Sequence, residues 1–138
     1  MNSFLSIFGE NSWRKIDTFS YDDIDKSDLN FNLNIFEDSF HFKKFGNISN
    51  INESNFNNDN FLKSLIRCYI KQYHDLIDSF QSDFELSFEN IVLSGGISKK
   101  ISLVKEYLTK KTNKTVIIKN SDYVVDDAIV GLQKINSL

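Results

Sequence analysis

Two adjacent glycines, Gly95 and Gly96, are the residues of this sequence whose type and position best suit ligand binding. They stand between an apolar run, "NIVLS", and a segment with helical periodicity, "KKISLVKEYLTKKT", in a chain with only 5 glycines in 138 residues. Glycine has no Cβ atom, so its backbone can adopt positive φ and allow a ligand to approach closely. The same pair is also typical of a plain strand-to-helix turn. The pattern alone leaves both interpretations open.

Two lysines follow the glycines and favour an anionic ligand. The pattern places Lys99 and Lys100 in the first turn of a helix, where positive charge is unfavourable by roughly 0.3 to 1 kcal/mol per charge. A bound phosphate would reverse the sign of this effect. Ligands of open α/β sheets lie beyond the carboxyl ends of strands, where this turn is predicted. Neither GxxxxGK[ST] nor GxGxxG occurs, which disfavours a P-loop or a Rossmann site.

The composition is that of one ordinary globular domain. Hydrophobic residues make up 41% and charged residues 25% of 138 residues. The net charge of −3 argues against an electrostatic surface for nucleic acid or membranes. No run approaches the roughly 18 apolar residues of a membrane span, and the N-terminus lacks the pattern of a secretory signal. A single cysteine, Cys68, predicts a reducing, cytoplasmic environment.

The first half of the chain contains one predicted strand and one long predicted helix. Residues 1 to 28 show no clear pattern, and "DTFSYDDIDKSD" is interpreted as a loop. Strict alternation in "LNFNLNIF" predicts a half-buried strand, and a loop is expected from Glu37 to Asp59. Apolar residues at three-four spacing predict a helix over residues 60 to 80, capped by Asp59 or Asn60, with an inward face from Leu62 to Phe80.

The second half alternates between strands and helices. "NIVLS" is expected to be a central strand covered on both faces, followed by a helix that buries Ile101, Val104, Tyr107 and Leu108. "KTVIIKN" predicts the next strand, and Ser121 or Asp122 starts a predicted final helix. This order of elements predicts an α/β fold with a mixed sheet and largely parallel pairing in its second half.

The glycine turn and its surroundings resemble a known family. "IVLSGGISKKISLVKEYL", "KTVIIKNSDYVVDDAIVGL" and the earlier loop "GNISNINESNF" resemble the C-terminal end of FGGY carbohydrate kinases, which belong to the actin-like ATPase superfamily. Ala128 and Gly131 match small residues of the family's last helix. The resemblance covers about residues 29 to 136, and the sedoheptulokinase branch is the most similar.

The resemblance implies a fold, a cofactor and site residues. It implies a partial actin-like (ribonuclease H-like) domain, with residues 29 to 138 as the C-terminal portion of a kinase-like domain and residues 1 to 28 as an additional segment. It further implies ATP, with Mg²⁺ in the complete enzyme, and a ketose sugar as substrate. Gly95 and Gly96 match the glycines that contact adenosine. Lys100 matches a position near the adenine, where relatives often carry Asn.

The resemblance also implies that essential parts lie elsewhere. The family's phosphate loops and its catalytic Asp have no counterpart in this sequence, so an N-terminal kinase domain is the expected partner and the chain alone is expected to be inactive. No catalytic role is expected for Cys68, His41, His74 or the pair Asp126 and Asp127.

Two alternatives to a kinase portion remain open, and one further property is expected. One alternative is a non-catalytic binding or scaffold domain that retains the actin-like fold. The other is an unrelated α/β module with a similar order of motifs. A partial sheet exposes an edge and apolar surface, so self-association is also expected.

Overall fold

The computed structural model describes residue 9 and residues 11 to 32, 46 to 85 and 87 to 119. Over these ranges the chain is a mixed α/β protein with one antiparallel and one parallel two-stranded sheet. In chain order its elements are helices α1 (Ser12–Ile16) and α2 (Tyr21–Asp25), strands β1 (Asn30–Asn32) and β2 (Asn47–Ser49), helix α3 (Asn58–Asp83), strand β3 (Asn90–Leu93), helices α4 (Gly96–Lys100) and α5 (Ser102–Thr112), and strand β4 (Thr115–Ile118).

Helix α2 lies within the stretch that was expected to be a loop, so that prediction is wrong. The helix begins with a capping box. The Asp23 backbone N–H donates to the Ser20 hydroxyl over 3.2 Å, and the Ser20 backbone N–H donates to the Asp23 carboxylate over 3.0 Å. Ile24 is fully buried and anchors the helix in the core. A local cap therefore defines α2, which is why apolar periodicity does not indicate it.

Helix α3 confirms the long predicted helix and extends it at both ends. Its cap is Asn57, whose side-chain oxygen accepts from the Asn60 backbone N–H over 2.9 Å, in place of the predicted Asp59 or Asn60. The first half of its apolar face is fully buried, through Leu62, Leu65, Ile66 and Ile70. The far end differs from the prediction, because Leu76 and Phe80 are 48% and 47% exposed.

Strands β1 and β2 form the antiparallel pair, in which Phe31 lies opposite Ile48. The predicted strand is confirmed for Asn30–Asn32, but its burial does not alternate there, because Asn30 is exposed and Phe31 and Asn32 are both half-buried. Residues 33 to 36 lie outside the described ranges. Strand β2 falls within the predicted loop, which is therefore wrong at these residues. Its short polar sequence carries no strand pattern, so it is defined by pairing with β1.

Hydrogen bonds from asparagine side chains to Asp28 connect the loop after β2 with helix α3. The Asp28 carboxylate accepts from the side-chain amides of Asn55 and Asn60, over 3.0 and 2.9 Å. The Asn50 side-chain amide donates to the Asp28 backbone carbonyl over 2.8 Å. These contacts explain why a loop rich in Asn is ordered at this position.

Strands β3 and β4 pair in parallel, as predicted for the second half of the chain. Ile91, Leu93 and Val116 are buried against the apolar side chains of α3 and α5. Val92 and Ile117 lie directly opposite each other, 55% and 45% exposed. The prediction that β3 is covered on both faces is therefore wrong at this pair.

The segment between β3 and β4 forms two helices where one was predicted. Helices α4 and α5 are separated by Ile101, whose backbone is extended at φ −114° and ψ 95°. Ile101 is nevertheless buried, together with Val104, Tyr107 and Leu108, as the spacing predicts. The break thus changes the direction of the backbone without removing any apolar side chain from the core.

Several expectations concern residues outside the described ranges. The final helix predicted from Ser121 or Asp122, with Ala128 and Gly131, lies there, as do His41 and the pair Asp126 and Asp127.

Replacing Asp23 tests the capping box of α2. Hydrogen bonds from Ser20, then the bond to Lys63, lower the pKa of Asp23 to about 2. A carboxyl group with a lowered native pKa stabilises the fold at neutral pH, and this contribution is lost as the pH falls from about 4 to about 2. We expect Asp23→Asn to lower the urea midpoint at neutral pH and to flatten the decline of stability over that acidic window.

The control for this test is Asp22→Asn. It removes the same charge from the same helical turn but leaves the bonds between Ser20 and Asp23 in place. We expect a smaller loss of stability, since Asp22 interacts with the helix dipole and with the charge of Lys110 but takes no part in the capping box. Equal losses in both variants, at every pH, would contradict a specific role for the capping box.

Candidate functional site

Gly95 occupies a backbone conformation that other residues essentially do not adopt. Its φ is 98° and its ψ is 167°, a region populated almost only by glycine. The Ser98 hydroxyl donates to the Gly95 carbonyl over 2.9 Å and holds the turn at the start of α4. The turn therefore requires glycine at position 95 whether or not a ligand binds.

Gly96 has a different environment. It is the first residue of α4, and a Cβ atom added there would meet no atom within 4 Å. Neither backbone strain nor packing against the described residues requires glycine at this position. The backbone of Gly96 therefore borders open space.

A pocket of about 180 Å³ lies at the carboxyl end of β3. Its walls combine small residues of the turn with apolar side chains and one tyrosine from α3: Ser94, Gly95, Gly96, Ser98, Leu93, Ile97, Val104 and Tyr73. Pockets for drug-sized ligands usually measure about 300 to 1,000 Å³. This pocket is therefore large enough for one ring or a similar group, and too small for a whole nucleotide.

Tyr73 is the largest side chain of the pocket wall, and Tyr69 holds it in place. The two hydroxyl oxygens lie 2.8 Å apart, and the rings pack edge to face with centroids 5.5 Å apart. Burial, followed by the bond to Tyr73, raises the pKa of Tyr69, so this hydroxyl keeps its proton. Both tyrosines lie on the face of α3 that the apolar spacing predicts to be inward. Their sequence spacing could have indicated this hydrogen bond, because it places two hydroxyl groups one helical turn apart on an apolar face.

The two lysines near the turn lie elsewhere than predicted. Lys99 and Lys100 stand in the last turn of the short helix α4, so the prediction that they lie in the first turn of a long helix is wrong. Positive charge is favourable at a helix C-terminus, which removes the need for a phosphate to compensate it. The Lys100 ammonium lies 5.5 Å from the centre of the Trp13 ring. The pocket thus brings together Gly95 and Gly96, and Lys100 lies outside its lining.

Cys68 and His74 each form a contact with another residue of the described structure. The Phe31 backbone N–H donates to the Cys68 sulfur over 3.4 Å and joins β1 to α3. His74 Nδ1 lies 3.2 Å from Asp78 Oδ2, one helical turn away on α3. Among the residues that the structure describes, no three His, Cys, Asp or Glu side chains cluster in a way that could hold a metal ion.

Comparison of the chain with models of protein families, with curated proteins and with solved structures finds no match. In the described part of the chain, no helix has both the length and the apolar character needed to cross a membrane.

Alanine substitutions separate the roles of the two glycines. We expect Gly95→Ala to destabilise the fold by about 1 to 3 kcal/mol, because alanine is strained at that backbone conformation. We expect Gly96→Ala to be neutral or slightly stabilising, because its Cβ meets nothing and its backbone is helical. Urea unfolding followed by circular dichroism measures both. A loss of similar size in both variants would show that Gly96 is also structurally required.

Proposed function

We propose that this chain supplies the adenosine-binding wall of an ATP-dependent sugar kinase of the FGGY type, built on a partial actin-like domain. The resemblance of residues 29 to 136 supports this proposal, and the sedoheptulokinase branch favours a ketose as the sugar. The observation that carries it is the pocket beside Gly96, at the carboxyl end of β3. We place the protein in the cytoplasm, since its single cysteine suits a reducing compartment.

The unequal environments of the two glycines favour a ligand over a plain turn. A plain turn accounts for Gly95, whose backbone needs glycine, but it does not account for Gly96. Space beside Gly96 allows a flat group to rest against the main chain. The carboxyl ends of parallel strands are also where α/β sheets bind ligands.

The lining of the pocket determines which part of ATP it could hold. None of its lining residues is Lys, Arg, Asp or Glu, so a triphosphate would find no charged partner there. Phosphoryl transfer needs a metal ion and cationic groups around the transferring phosphate, and a group that orients the sugar hydroxyl. In this proposal the chain binds and orients adenosine, and a separate N-terminal kinase domain binds Mg²⁺ and the sugar. The chain alone is inactive.

An ATP titration followed by ¹H–¹⁵N NMR tests the proposed site. We expect millimolar ATP to shift the backbone amides of Gly95, Gly96 and Ile97, which line the pocket. Gly96→Leu should abolish these shifts, because its side chain fills the open space. Thr109→Leu, which adds the same side chain at an exposed position of α5, should retain them. Absence of pocket shifts in the wild-type chain would overturn the proposal.

One observation favours the alternative of a scaffold domain. Val92 and Ile117 form an exposed apolar pair across β3 and β4, whereas parallel sheets usually have both faces covered. We propose that a second copy of the chain packs on this pair. Self-association without any response to ATP would favour the scaffold over the kinase portion.

Light scattering tests this association. We expect the wild-type chain to have an apparent mass above the 16.0 kDa of a single copy. The double variant Val92→Thr, Ile117→Thr should shift it towards one copy, because threonine keeps the branched shape and loses apolar surface. Leu76→Thr, at an exposed position of α3, serves as the control and should leave the association unchanged. A wild-type chain that is monomeric at all concentrations would contradict the proposal.

A further inference from the structure

The pocket beside Gly96 has one aromatic wall, and this wall is held rigidly. Tyr73 comes from α3, whereas the other lining residues come from the end of β3, the β3–α4 turn, α4 and the start of α5. The Tyr69 hydroxyl, 2.8 Å from the Tyr73 hydroxyl, and the edge-to-face contact of the two rings limit rotation of the Tyr73 side chain. An aromatic ring that is fixed before binding loses little conformational entropy when a ligand packs on it.

The volume and chemistry of the pocket restrict its ligand. At about 180 Å³ it holds a single flat ring system but not the sugar and phosphates attached to it. Its apolar walls, formed by Leu93, Ile97 and Val104, suit the face of a base more than a charged group. Lys100 is engaged with Trp13 and lies outside the lining. The phosphates of a nucleotide would therefore lie outside this pocket.

We infer that Tyr73 is a binding residue that packs against the base of the nucleotide, and that Tyr69 is a positioning residue that orients the Tyr73 ring. The base would lie between this ring and the backbone of Gly95 and Gly96, with ribose and phosphates outside the pocket. This inference rests on the proposed function, because it assigns the aromatic contact of the same site. Packing on an aromatic side chain tolerates different bases, so the pocket selects a purine-sized ring by its volume rather than by hydrogen bonds.

Binding affinities of Tyr73 variants test this role. The ligands are adenosine and ATP, and tripolyphosphate serves as a ligand that has phosphates but no base. We expect Tyr73→Leu to weaken adenosine and ATP binding by about 10-fold or more, because leucine keeps apolar bulk but removes the aromatic face. Tyr73→Phe and Tyr69→Phe each remove the hydrogen bond between the two hydroxyls and keep both rings. Both should therefore weaken the two ligands by the same small factor, within about 3-fold, since the aromatic face remains. Any tripolyphosphate binding should be the same in all variants.

Phe80→Leu is the matched control. It makes a similar change on α3, at an exposed position that does not line the pocket, and it should leave the affinity for adenosine unchanged. A second test uses only the wild-type chain, so its result does not depend on whether any variant folds. We expect nuclear Overhauser effects between the base protons of adenosine and the ring protons of Tyr73.

The results separate failure of this inference from failure of the proposed function. If adenosine and ATP cause no shifts at Gly95 and Gly96 in the wild-type chain, the proposed function is wrong and the inference falls with it. If they bind there but show no Overhauser effects to Tyr73, or if Tyr73→Leu binds them as tightly as the wild type, the inference is overturned and the proposed function stands. Equal losses in Tyr73→Leu and Phe80→Leu would also overturn it.

Discussion

Burial of one side of helix α3 is the interaction on which the described structure depends. Leu65, Ile66 and Ile70 are completely buried, and the helix contacts α1, α2, β1 and α5. Full burial of each such side chain contributes about 1.5 to 3 kcal/mol. Tyr73 follows Ile70 by three residues and therefore lies on the same side of the helix. Burial of these core residues therefore fixes the position of Tyr73, the aromatic wall of the pocket.

A second set of contacts joins helix α5 to helix α2. Lys111 forms an ion pair with Asp25 over 2.8 Å, and the Lys110 ammonium lies 4.1 Å from the centre of the Tyr21 ring. The bond to Asp25, then the bond to Tyr21, raises the pKa of Lys111, so its charge persists at all ordinary pH values. The Tyr21 and Tyr107 rings lie 5.6 Å apart. Helix α2 therefore braces α5, whose first turn contributes Val104 to the pocket.

Elements with strong periodicity could be predicted from the sequence, and those defined by contacts distant in the chain could not. Helix α3 carries a long apolar pattern at three-four spacing, and β3 and β4 are short continuous apolar runs, so these elements could be predicted from the sequence. Helix α2 depends on the bonds between Ser20 and Asp23, and β2 depends on pairing with β1, so neither has an apolar pattern. The glycine turn was predicted as a site, but the contribution of Tyr73 depends on which side of α3 faces that turn. The exposure of Val92 could not be predicted, because a continuous apolar run does not indicate how many faces are covered.

The contact between Lys100 and Trp13 has a spectroscopic consequence. Trp13 is the only tryptophan of the chain, and the cation that lies over its indole ring ends the helix that begins at Gly96. Indole emission responds to nearby charge, so intrinsic fluorescence in this protein reports on one place, the far end of α4. The chain therefore carries its own optical probe of the helix that borders the pocket, with no label and no substitution.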